Sequence, residues 1–157
     1  MRKTVGKFSS QDAPSDEVNW LDLESLAQVE VTSEHPEFPI ESAMVAGAGP
    51  RWLASRPGTQ TILVKFDKPR RLKRIWLRFV EGGNERTQEF KLSWSTDGGR
   101  SFREIVRQQW NFSPSGSTVE SEDYRVDLSR VTTVKLAIDP DLGRGEALAT
   151  LSELRMA

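Results

Sequence analysis

Apolar and polar residues alternate along much of the chain with the period of two that a strand with one buried face requires. In Glu89 to Val106, EFKLSWSTDGGRSFREIV, the side chains of Phe90, Leu92 and Trp94 share one face and Lys91, Ser93 and Ser95 the other. Asp97-Gly98-Gly99 supplies a turn whose glycines take the positive φ of a tight return, and Phe102, Ile105 and Val106 resume the apolar pattern. This segment reads as an antiparallel hairpin. Similar alternation predicts strands over Ala27 to Ser33, Gln60 to Phe66, Leu72 to Phe79, Tyr124 to Leu128, Thr133 to Ile138 and Leu148 to Met156, with a short one at Arg51 to Ala54. Asp67-Lys68-Pro69-Arg70 reads as a connecting turn and Trp110 to Glu122 as a long loop. Helix is confined to a turn around Trp20 to Leu26 and another over Ile40 to Val45, with Pro36 and Pro39 forbidding a strand before the second. Short strands, turn signals and scarcely any helix predict an all-β sandwich or barrel. Its inward-facing set is Val29, Val31, Trp52, Ile62, Val64, Ile75, Leu77, Phe90, Leu92, Trp94, Leu136 and Ile138.

Composition narrows the chemistry. A chain of 157 residues is one domain's worth, long enough to bury a core without metal or disulfide staples. Residues 1–18 are polar and read as a flexible N-terminal tail, leaving 19–157 as the β-sandwich domain. The absence of cysteine and the single histidine, His35, remove disulfides, thiolate catalysis and a zinc site. No apolar run follows the basic start, and none elsewhere is long enough to span a bilayer, so a cytoplasmic location is expected.

Net charge is −1, but Gln11 to Glu41 holds nine acidic residues and no Lys or Arg, whereas Lys65 to Arg78 holds seven basic residues and one acidic. The basic run either stays in water and discourages edge pairing, or faces a protein or nucleic-acid partner rich in negative charge. No pair of carboxylates has a spacing that marks an acid/base couple, so no enzyme is expected. Asp139 to Glu146, DPDLGRGE, lacks the length of an EF-hand loop and reads as a turn.

The order of elements carries more than any one of them. AQVEVTSEHPEFPIESAMV, then RW, FDKPRRLKRIWLRF, EFKLSWSTDGGRSF and ALATLSELRM together resemble the discoidin, or coagulation-factor C-type, domain family, which includes many bacterial carbohydrate-binding modules. The resemblance covers Ala27 to Met156 and implies a galactose-binding-domain-like jelly-roll β-sandwich of about eight main strands. Trp52 resembles the tryptophan that plugs the bottom of that sandwich, and Ser95 to Phe102 its hairpin between central strands. Family members often hold a structural calcium ion with an aspartate in the loop before RW and a glutamate near the C-terminus. Here that loop is Ala46-Gly47-Ala48-Gly49-Pro50, without a carboxylate, and Glu153 alone remains as a weak calcium candidate. One carboxylate with carbonyls holds calcium poorly, so no cofactor is expected.

The resemblance also implies a ligand held by loops at one end of the sandwich. Sugars are recognised by an aromatic face against their C–H groups and by amide or charged groups against their hydroxyls. His35, Asn84, Arg86, Trp110, Asn111 and Phe112 carry those groups, and a non-catalytic carbohydrate-binding module with a glycan ligand is the first reading. Against each stands a plainer role: Trp110 and Phe112 closing over the core, His35 packing its own loop, Arg86 pairing with Glu85 or Glu89. The same jelly roll occurs in a DNA single-strand-break repair scaffold, so an intracellular protein- or nucleic-acid-interaction domain acting through Lys65 to Arg78 is the alternative. Membrane attachment by apolar loop tips is a third reading, which needs the same Trp and Phe exposed.

Overall fold

The computed structural model describes residues 18–157, so the expected tail lies outside the described residues except for Val18. Ten elements follow in order: α1 (Leu23–Leu26), β1 (Ala27–Val31), α2 (Glu41–Met44), β2 (Trp52–Leu53), β3 (Gln60–Val80), β4 (Arg86–Ser95), β5 (Arg103–Phe112), β6 (Val119–Asp139), β7 (Thr150–Leu151) and β8 (Glu153–Met156).

Two strands make the sandwich. β3 and β6 each run for 21 residues and pair antiparallel, with the register slipping between Lys65 and Arg74. Before the slip β3 pairs with β1, and after it with β8. β4 joins only the last part of β6, and β5 joins β4. The result is a five-stranded layer (β1, start of β3, end of β6, β4, β5) over a three-stranded one (β8, end of β3, start of β6). They meet where Phe79 stacks on Phe90 at 5.3 Å and Tyr124 meets Phe90 edge-on at 6.4 Å.

The turn expected at Asp67 to Arg70 is therefore a correction. Pro69 has no N–H to give to a ladder, and the chain answers by bulging and crossing between layers as one bent strand. The loop expected from Trp110 to Glu122 is likewise shorter. Its first three residues complete β5 and its last four begin β6, leaving 113–118 as the connection, closed by Ser113 N–H donating to the Ser117 carbonyl.

Nine of the twelve expected inward residues are buried, and Val29, Val31 and Trp94 are partly buried against the same core. Trp52 is fully buried, and its Nε1 donates to the Ser33 carbonyl at 3.1 Å, which satisfies the one polar atom of the plug. In the central hairpin, Gly98 and Gly99 take φ of 75° and 91°. Asp97 organises that turn, accepting from the Ser95 and Ser101 hydroxyls and from the Arg100 and Ser101 amides. Those donors, the two hydroxyls foremost, hold its carboxyl well below the usual range.

Candidate ligand-binding groove

The six candidate residues do not form one cluster. Arg86, the first residue of β4, is 4% exposed. It pairs with Glu81 at 2.8 Å, donates through Nη1 to the Pro140 carbonyl at 2.6 Å, and lies over the Phe112 ring at 4.8 Å. Phe112 is 1% exposed. Both were expected to meet ligand, and both instead belong to the interior: the alternation of β5 continues through Trp110 and Phe112 and turns them inward. The partner of Arg86 is Glu81, not Glu85 or Glu89. Burial pushes the Glu81 carboxyl up, but the Arg86 hydrogen bond and the Gly83 and Asn84 amides outweigh it and leave the carboxyl below its ordinary value.

Trp110 is half-buried against the core, with Nε1 donating to Ser117 Oγ at 3.1 Å. Asn111 is exposed on the same edge strand and accepts from Thr87 Oγ1 at 2.8 Å. His35 packs its own loop: its ring lies 5.5 Å from that of Phe38, its Nδ1 accepts from the Glu37 amide, and its own amide donates to the Leu53 carbonyl. Asn84 is the candidate that is both exposed and in a concavity.

That concavity is a groove of three adjoining depressions. One of about 250 Å³ is lined by Arg51, Leu53, Val80, Asn84 and Glu146 among others. A second, of about 270 Å³, shares Asn84 and Glu146 with it and adds Glu85 and Asp141. The third and largest, about 470 Å³, shares Arg51 and Val80 with the first and extends to Phe38, Arg78 and Arg155. The small β2/β7 sheet, Trp52 opposite Leu151 and Leu53 opposite Thr150, holds Leu53 and Ala54 against 149–150, and Arg51 and Glu146 line one depression beside it. DPDLGRGE is a turn as expected, tied down by Leu142 N–H donating to the Thr87 carbonyl and Gly143 N–H to Asp141 Oδ1. Arg51 and Glu146 were missed in the sequence, where the one is hidden in the RW pair and the other in a turn.

The calcium expectation meets a different cation. Arg155 Nη1 donates to the Met44 carbonyl at 2.8 Å, and its Nη2 lies 3.5 Å from Glu153. A guanidinium thus already faces the one available carboxylate, and this donor set does not fit a calcium ion. Among the described residues no three His, Cys, Asp or Glu side chains group as metal ligands.

Three of the seven basic residues of the run are neutralised at close range. Lys65 pairs with Glu30 at 2.8 Å, Arg71 with Asp127 at 2.7 Å and Arg74 with Asp123 at 2.5 Å. The Asp123 hydrogen bond raises the Arg74 pKa further. Behind the groove lies an acid in the interior: Glu120, 0% exposed, accepts from Gln88 Nε2 at 3.2 Å. Burial first, then Glu122, pushes its pKa up to about 8, against the pull of Gln88 and Arg86.

The sequence matches no protein-family model and no curated protein. Solved structures match the fold over most of their length. The family 32 carbohydrate-binding module of NanJ from C. perfringens, determined with galactose, has 17% identity and a TM-score of 0.64 over 87% of this chain and 96% of its own. A CBM32-3 module from a family 31 glycoside hydrolase of Clostridium perfringens has 20% identity and 0.65, over 87% and 93%. A pectin-binding carbohydrate-binding module has 17% and 0.59, over 83% and 89%. At these identities the likeness is one of fold, and the jelly-roll sandwich is the fold they share.

Proposed function

We propose that the protein is a non-catalytic carbohydrate-binding module whose glycan lies in the groove past Asn84. The likeness of fold to a module determined with galactose, over 96% of that module's chain, is the observation that carries this reading. The groove suits it chemically. Asn84, Glu146 and Asp141 offer amide and carboxylate groups for ring hydroxyls, and Leu53, Ala147 and Leu148 offer apolar surface for the opposite face of a sugar. Three ion pairs along Lys65 to Arg78 leave that run less free charge for a nucleic acid than its sequence suggests.

A glycan array followed by calorimetry on the best ligand tests the proposal. Asn84→Ala and Glu146→Ala each remove one hydroxyl partner and are expected to weaken binding about tenfold, as the loss of a hydrogen bond worth about 1–1.5 kcal/mol would. Absence of binding across a broad array would overturn it.

A further inference from the structure

We propose that the largest depression of the groove holds the carboxylate of an acidic sugar residue, a uronic acid, between Arg51 and Arg78; this rests on the carbohydrate-binding reading above. The floor of the depression is the outer face of the three-stranded layer. Ile75, Leu77 and Phe79 point inward, so Arg78 and Val80 point out, with Glu153 of β8 opposite Arg78 and Arg155 one row away. The wall is the end of α2 and the glycine-alanine loop. That loop comes so near that a Cβ on Gly49 would stand 2.9 Å from the Ser42 Cβ.

Three arginines line the space against one carboxylate, Glu153, and that carboxylate already faces Arg155. Arg51 and Arg78 are left over. The guanidinium of Arg51 lies 4.9 Å from the centroid of the Phe38 ring, and the Nε atoms of both arginines are buried with no acceptor. Neither guanidinium has a carboxylate partner among the described residues, and an oxyanion in the depression supplies the acceptor that the solvent-facing Nη groups lack. A guanidinium fork matches the two oxygens of a carboxylate in particular. About 470 Å³ is room for a whole sugar residue rather than a bare ion. Phe38, Val45 and Val80 give its C–H faces apolar contact, and the shared Arg51 and Val80 let the next residue of the chain continue toward Asn84.

Calorimetry at pH 7 with trigalacturonic acid, its fully methyl-esterified form, neutral galactotriose and inorganic phosphate tests this on the wild type and on Arg51→Gln and Arg78→Gln. The acid is expected to bind, to weaken as salt rises, and to lose at least tenfold in affinity on esterification or in either variant. Circular dichroism checks the fold of each variant; should Arg78→Gln unfold, Arg51→Gln, just outside β2, carries the test alone. If the ester and galactotriose bind as well as the acid and the arginine variants change nothing, the acidic-sugar site is refuted while the carbohydrate reading stands. If phosphate binds as tightly as the acid, the pocket takes free oxyanions and the sugar assignment is overturned. If no oligosaccharide binds, neutral or acidic, the carbohydrate reading itself has failed.

Discussion

Replacing Glu120 by Gln should make the protein more stable at pH 8 and leave it nearly unchanged at pH 5. Glu120 sits opposite Phe79 in the β3/β6 ladder with no exposed surface, one oxygen on Gln88 and the other without a partner. Its pKa rises from an ordinary 4.5 to about 8, so between those values the folded protein keeps a proton that the unfolded chain has released. Stability therefore falls as pH rises through that window, by up to about 1.4 kcal/mol per pH unit for one group. Across the whole span the ceiling is roughly 5 kcal/mol. Relaxation and water entry around a newly ionised group lower it, and about 2–4 kcal/mol is the expected effect.

Glutamine cannot ionise, and its amide keeps an N–H donor where the protonated acid keeps an O–H. Urea unfolding of wild type and Glu120→Gln from pH 5 to pH 8 reads the difference directly. The depressed carboxyls of Glu81 and Asp97 lose their contributions only below the ordinary carboxylate range, outside this window. Parallel stability curves for the two proteins would refute the reasoning. So would a glutamine variant that is the less stable at pH 8.

Arg155→Met should cost about 1–3 kcal/mol in urea unfolding, because the Met44 carbonyl loses a charge-assisted donor and Glu153 its counter-charge. A chelator, by contrast, should leave the wild-type Tm unchanged, and a drop of many degrees would show a bound metal after all. Trp110→Ala should cost about 1–3 kcal/mol, between a surface change and a fully buried tryptophan, while glycan affinity stays within twofold. Loss of binding at unchanged stability would return Trp110 to the site. Arg71→Ser should change stability by less than about 0.5 kcal/mol and Arg74→Ser by about 1 kcal/mol or more. The Arg71–Asp127 pair is largely in water, whereas Arg74 holds Asp123 with two nitrogens and lies over Trp20.

The core was legible because a period of two is a local signal: Phe90 and Leu92, or Ile62 and Val64, need only their neighbours in sequence to declare a face. What was not legible depended on partners distant in sequence. Pro69 looks like a turn until β3 is seen bulging there against a continuous β6, and Trp110 looks like a loop tip until β4 offers it a ladder. Arg86 reads as surface because its charge is answered by Glu81 across a loop and by a carbonyl 54 residues away. Glu120 sits in a run of acids that resembles solvated surface, and only the closing of β3 over β6 removes its water. The groove is the extreme case, since Arg51 and Glu146 come to line one depression only where a sheet of two-residue strands joins their segments.

The charges around Glu153 fit together only as a set. In the family that this sequence resembles, a carboxylate in that position helps to hold a divalent cation, and a doubly charged ion there would repel any nearby guanidinium strongly. Here the loop has no carboxylate, and Arg155 stands against Glu153 with a single charge. A singly charged partner fixed by the Met44 carbonyl is compatible with Arg78, opposite Glu153 in the ladder, and with Arg51 in the same depression. Had arginine merely replaced the metal as a strut, Glu153 and Arg155 would have sufficed. Arg51 and Arg78 go beyond such a strut: they line the depression without a carboxylate partner among the described residues, and theirs are the charges that the proposed sugar carboxylate would meet.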